Sequence, residues 1–263
     1  MFAEFEWDQY DVKRQQIEIL QSAFPKDADL DNALKAYYLD QTTLTSLETW
    51  LDRLDEPARD RILQIQPWRR RAVAQFRVVR STNHLLIKRM PILNFQQDLD
   101  QKDIRSLPRK FTECDHKYTD HEYFQDLLSG VFRLVERTRP HLHRISLTAH
   151  FMSVKARPDQ AGNNSPEGAH EDGADYIISA LVINRDNIVG GESQIIEQLA
   201  DGSKEIICRH TLQPGEFVFQ ADSRDEITYG TDLWHHVTPF SLADPSRGEG
   251  WRDIIGFDIN VVS

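Results

Sequence analysis

The sequence predicts an α+β, mainly β chain in which helices come first and an antiparallel sandwich or barrel follows. Three observations carry this reading. Apolar residues recur at helical spacing in the N-terminal half, the hydrophobic period switches to alternation after Pro140, and turn signals then separate short apolar runs down to the C-terminus. The expected organisation is one domain over residues 1–263, with a mostly helical part over 1–142 and a β-barrel core over 143–263.

Residues 10–80 contain no glycine and show apolar positions three and four apart, as in Ile17, Leu20 and Phe24 and again in Leu44, Leu47, Leu51 and Leu54. Helices are expected there, with a break at Pro25 and an N-cap among Asp27, Asp29 and Asp31. Pro57 and Pro67 mark later boundaries. Residues 121–138 place Phe124, Leu127, Leu128, Val131 and Leu134 on one helical face, and Pro140 stops that helix. Beyond it, residues 144–151 alternate polar and apolar, and residues 176–183 form a nearly continuous apolar run typical of a buried strand. Further strands are expected at 193–198, 204–210, 216–220, 233–240 and 254–262, separated by turns such as Asp186-Asn187, Asp201-Gly202 and Pro214-Gly215. Short strands joined by turns in this way close into a sandwich or barrel. Residues 158–167 read as a lid-like loop.

Composition narrows the function classes. The chain has 42 acidic and 31 basic side chains, a net charge of −11, and its one tight basic run is Arg69 to Arg71. A nucleic-acid partner is not expected, because neutralising many phosphates needs clustered Lys and Arg. No apolar stretch reaches the length of a membrane span, and the N-terminus is acidic, so neither a membrane helix nor a signal peptide is expected. Cys114 and Cys208 lack CxxC spacing, which argues against a disulfide framework or thiolate zinc site and for a reducing, cytoplasmic setting. A small-molecule substrate fits these features, and a homo-oligomer is compatible with them.

Three segments have residue types suited to metal chemistry. His170 and Asp172, in Gly168-Ala169-His170-Glu171-Asp172-Gly173, lie two apart at the entrance to a strand. Extended backbone puts positions i and i+2 on one face, so imidazole and carboxylate can converge on one ion while Glu171 points away. A His-x-Asp triplet alone also fits a solvated turn. The late run Leu233-Trp234-His235-His236-Val237-Thr238-Pro239 offers a second histidine. Two nitrogens and one oxygen on one face leave coordination positions open, the arrangement of non-haem Fe(II) oxygenases. His235 and His236 face opposite ways on a regular strand, so only one can serve. Arg252 opens the last strand, where it is either a solvated edge residue or a planar fork for a carboxylate deeper in the barrel.

The order of these pieces, His-x-Asp, then Gly190-Gly191-Glu192-Ser193, then His235-His236-Val237-Thr238-Pro239, then Arg252-Asp253, resembles the Fe(II)- and 2-oxoglutarate-dependent dioxygenases. The likeness is nearest to the branch of bacterial hydroxylases of free aliphatic amino acids, such as the isoleucine hydroxylases, and it spans roughly residues 145–260. It implies a double-stranded β-helix (jelly-roll, cupin-like) core with supporting N-terminal helices. It also implies that His170, Asp172 and His235 bind iron and that Arg252 holds the distal carboxylate of 2-oxoglutarate. Within the family's His-x-Val-Thr-Pro text the first histidine is the ligand, which selects His235. Arg185 is expected either to anchor a substrate carboxylate or to make a strand-end ion pair with Asp186.

The implied reaction uses Fe(II), 2-oxoglutarate and O2 to hydroxylate an aliphatic carbon, with release of succinate and CO2. The substrate expected from the resemblance is a free aliphatic L-amino acid such as isoleucine or leucine. A carboxylate at Asp172 favours hydroxylation over halogenation. Two other classes remain open on the sequence: a metal-dependent hydrolase or isomerase on a cupin-like barrel, and a non-catalytic sensor of a small carboxylate.

Overall fold

A computed structural model describes residues 69–91, 112–165, 168–199, 201–222 and 233–262. The helices expected before residue 69 lie outside the described residues. The elements in chain order are β1 (Arg69–Arg80), β2 (Leu85–Met90), β3 (Thr112–Glu113), α1 (His116–Thr119), α2 (Glu122–Thr138), β4 (Arg144–Ala156), β5 (Tyr176–Asp186) and β6 (Ile188–Gly190). They continue with β7 (Ser193–Gln198), β8 (Lys204–His210), β9 (Phe217–Ala221), β10 (Leu233–Val237), β11 (Phe240–Leu242) and β12 (Gly250–Val261).

The large sheet runs β2-β1-β4-β12-β5-β9, with β3 beside β1, and smaller sheets run β10-β7-β8 and β11-β6. This is the expected double-stranded β-helix, with neighbouring strands antiparallel except for the parallel pair β1 and β3. One expectation is corrected: residues 69–80 form a strand rather than the end of a helical region. Ala72, Ala74, Phe76 and Val78 alternate with Arg71, Gln75 and Arg77, a period of two that suits a sheet edge and that the leucine spacing upstream obscures. The lid-like reading of 158–167 is corrected as well. Gly162 exchanges backbone hydrogen bonds with Phe240, and Ser165 Oγ accepts from the Val237 N–H, so the described part of this loop is fastened to the barrel.

The two faces of the large sheet differ in chemistry, and this positions the site. Phe151 and Phe76 lie on the outer face, where both rings pack on Phe124 of α2 with centroids 5.5 and 5.6 Å apart. His121 caps α2 by accepting from the Tyr123 N–H, and the buried stripe of Phe124, Leu128, Val131 and Val135 closes that side. Directly paired residues share a face, so Arg252, Ile254 and Asp258 of β12 join Val154, Met152 and Thr148 of β4 on the inner face. There Val154 packs with Phe240 and Leu242 of the smaller sheets. Among the described residues no helix is long and apolar enough to cross a membrane.

Candidate metal centre

The chain brings His170 and His235 together by a two-way backbone bridge. His170 N–H donates to the His235 carbonyl at 3.0 Å, His235 N–H donates to the His170 carbonyl at 2.9 Å, and the ring centroids are 4.2 Å apart. On β10 the burial alternates, with His235 inward and His236 on the opposite face near Gln194. Asp172 completes the group: Oδ1 lies 3.8 Å from His170 Nε2 and Oδ2 lies 3.3 Å from His235 Nε2. One ligand atom from each residue falls within 4.8 Å of the others. Ligands about 2.1 Å from one ion and at right angles lie about 3 Å apart, so the cluster is close to the facial geometry a metal requires.

The protonation of the cluster also suits a metal. His170 Nδ1 sits 2.8 Å from the Gly168 carbonyl, which only accepts, so that nitrogen carries the proton and Nε2 presents its lone pair to the cluster. Asp222 holds the turn that carries the carboxylate, because its side chain accepts from the Asp172 N–H at 3.0 Å and from the Ala174 N–H at 2.8 Å. Burial, then the neighbouring Asp172 charge, pushes the Asp222 carboxyl up to about 7. Sequence reasoning missed Asp222, for which spacing gives no signal.

Arg252 is not an edge residue. Its side chain is fully buried, its Nη1 donates to Asn164 Oδ1 at 3.0 Å, and its Nε and Nη2 have no hydrogen-bond partner among the described residues. Burial, and after it the charge of Arg185, pushes the guanidinium down to about 9. Arg185 is its cross-strand neighbour on β5. It donates from Nη2 to the Gly190 carbonyl, while its Nη1 is also buried and unsatisfied among the described residues, and burial lowers its pKa. An ion pair with Asp186 is not what the structure shows, since Asp186 pairs with Arg247. Two like charges with three unmet donors between them are complementary to a carboxylate. Asn164 was also missed, because it lies in a loop that reads only as a turn.

Gly191 lies against both guanidiniums in a left-handed conformation. Its φ is +69°, and a Cβ there would sit 3.4 Å from Arg185 Nη1 and 3.5 Å from Arg252 Cδ. Gly191→Ala is therefore expected to destabilise the protein by about 1–2 kcal/mol through the left-handed backbone alone. The added Cβ would meet both arginine side chains at ordinary contact distance, and thermal melts of wild type and variant measure the loss.

A family model described as 2OG-Fe dioxygenase matches residues 53–258. A BsmA homologue from Methylobium petroleophilum PM1 is similar in structure with a TM-score of 0.60, at 20% identity over 82% of this chain and 86% of its own. IDO from Bacillus thuringiensis gives 0.56 at 14% identity, covering 95% of this chain and 100% of its own. TqaL, an Fe(II)/α-ketoglutarate-dependent dioxygenase, gives 0.53 at 15% identity, covering 98% and 91%. No curated protein matches the sequence. At these identities the structural likeness establishes the fold.

Proposed function

The chain belongs to the 2OG-Fe dioxygenase family, and from that premise we propose that it hydroxylates an aliphatic carbon of a small substrate, a free aliphatic L-amino acid such as isoleucine or leucine. The family uses Fe(II), 2-oxoglutarate and O2. The observation that carries the reading is the buried Arg252 guanidinium with two unmet donors, facing into the same barrel as the His170, Asp172 and His235 cluster. A dicarboxylate co-substrate accounts for both features, and a hydrolytic metal site accounts for the cluster alone.

In this reading His170, Asp172 and His235 hold the iron. Arg252 pairs with the distal carboxylate of 2-oxoglutarate, and Arg185, expected from sequence to meet the substrate, shares that carboxylate through Nη1. Asn164 keeps the Arg252 fork in place. Asp222 fixes the direction of Asp172 through the backbone. Ile254 and Met152 form a buried apolar pair on the inner wall next to Arg252. Bound Fe(II) supplies the redox chemistry by which O2 converts 2-oxoglutarate to succinate and CO2 and leaves one oxygen atom on the substrate carbon as hydroxyl. The same reading places the protein in the cytoplasm with a small molecule, not nucleic acid, as its partner.

Succinate release from 2-oxoglutarate, measured with Fe(II) in air against a panel of amino acids, tests the proposal. At least one aliphatic L-amino acid is expected to accelerate release and to gain one oxygen by mass. Failure of every aliphatic amino acid to do so would overturn the substrate assignment.

A further inference from the structure

The inner face of the large sheet carries a polar row that neither the metal cluster nor the guanidinium pair uses. Arg71 of β1, His150 of β4 and Asp258 of β12 cross three neighbouring strands. Arg71 Nε lies 3.2 Å from His150 Nδ1, and His150 Nε2 lies 3.0 Å from Asp258 Oδ2. A guanidinium only donates, so His150 accepts at Nδ1, carries its proton on Nε2 and donates to Asp258. Register extends the row, since Asp258 pairs with Ile177 of β5 and Ile177 with Gln220 of β9. Gln220 is 2% exposed, and neither its Nε2 nor its Oε1 has a hydrogen-bond partner among the described residues. An amide buried with both ends unmet is costly in the ligand-free protein, and a ligand with a donor and an acceptor removes that cost. A chain of hydrogen bonds ties the row to the metal centre: the Asp175 N–H donates to the carbonyl of Ile259, next to Asp258, the Asp175 carbonyl accepts from the Asp222 N–H, and Asp222 holds the Asp172 N–H.

We infer that this row binds the head group of an α-amino acid substrate, with Arg71 taking the carboxylate and Asp258 and Gln220 Oε1 taking the ammonium group. The inference rests on the amino-acid reading above and adds the residues that enforce it. A cation and an anion separated by one imidazole ring complement a zwitterion, whereas a plain carboxylate or a plain amine would satisfy only one end. His150 is a positioning residue that sets this separation. The aliphatic side chain is then the part left to face the metal ligands.

The test compares wild type with Arg71→Gln, Asp258→Asn and Gln220→Leu. The readouts are the KM for the preferred amino acid, for its primary amide and for its des-amino acid, together with melting temperature. Arg71→Gln is expected to raise the amino-acid KM about 10- to 100-fold and to lose preference over the amide. Asp258→Asn should raise it to a similar degree and lose preference over the des-amino acid. Gln220→Leu should raise KM while melting at or above wild type, because it deletes two unmet buried groups; a purely structural Gln220 would lower the melting temperature and leave the preferences intact. If wild type turns over an amino acid and all three variants keep its KM and its preferences, the row is structural and the inference is overturned. If no amino acid accelerates succinate release in wild type, the substrate reading itself fails and takes the row's assignment with it.

Discussion

Asp172→Ala is expected to reduce substrate-dependent succinate release by about 10³-fold or more, since even changing a residue that merely orients a ligand costs about 10- to 100-fold. Asp172 is the one carboxylate of the cluster, set 3.3 Å from His235 Nε2 and 3.8 Å from His170 Nε2. Its removal leaves two imidazoles and no anion to offset the charge of a divalent ion. The fold should survive the change, because the Asp222 carboxylate takes hydrogen bonds from backbone N–H groups that alanine retains. Loss of the Asp172 charge also relieves the repulsion that raises the Asp222 pKa. Iron content after reconstitution and a thermal melt together distinguish a lost ligand from a lost fold. His236→Ala is the control: it lies on the other face of β10, so iron content should match wild type, whereas His235→Ala should lose it.

The second large effect belongs to Arg252. Arg252→Leu is expected to weaken 2-oxoglutarate binding by about 10²-fold or more, the scale for losing one partner of a buried, hydrogen-bonded charge pair. The ligand-free variant should melt no lower than wild type, because a fully buried cation with two unmet donors is replaced by an apolar side chain of similar reach. The sign of the electrostatic cost follows from its pKa. The folded value of about 9 lies well below a guanidinium's ordinary range, so the charged group opposes folding in full below about pH 9, and the penalty fades as pH rises beyond it. A bound dicarboxylate offsets this penalty at neutral pH. Wild type should accordingly gain about 2.7 kcal/mol of stability at a ligand concentration 100 times Kd. The variant should gain almost nothing at the same concentration.

How much of this was legible in the sequence depended on distance along the chain. The strands at 193–198 and 204–210 stand at the expected positions because alternation and turn residues are local signals. Residues 233–240 divide into β10 and β11 at Thr238-Pro239, where proline cannot donate to a ladder. That His235 and His236 lie on opposite sides of β10, His235 inward, was readable because period-two alternation needs only one strand. Contacts set by register across the sheet were not readable. Arg185 meets Arg252, and Gln220 shares a face with Asp258, only because β5 pairs with β12 and β9 with the shifts its bulges introduce. Asn164, Asp222 and Arg71 lie 88, 50 and 79 positions from Arg252, Asp172 and His150, the residues they hold, and no motif spacing spans such gaps. The strand at 69–80 was hidden for a different reason: it follows a leucine-rich helical pattern without a glycine to mark the change.

The central claim is that one barrel holds iron at His170, Asp172 and His235 and a 2-oxoglutarate carboxylate at Arg252. Anaerobic titration with Fe(II) and then 2-oxoglutarate, followed by visible absorption, tests both halves together. Wild type should develop the weak charge-transfer band of an Fe(II)–2-oxoglutarate chelate, Asp172→Ala should not develop it, and Arg252→Leu should need about 10²-fold more 2-oxoglutarate or more to reach it. Iron-loaded wild type that shows no band at saturating 2-oxoglutarate, or an Arg252→Leu curve that overlays wild type, would contradict the account.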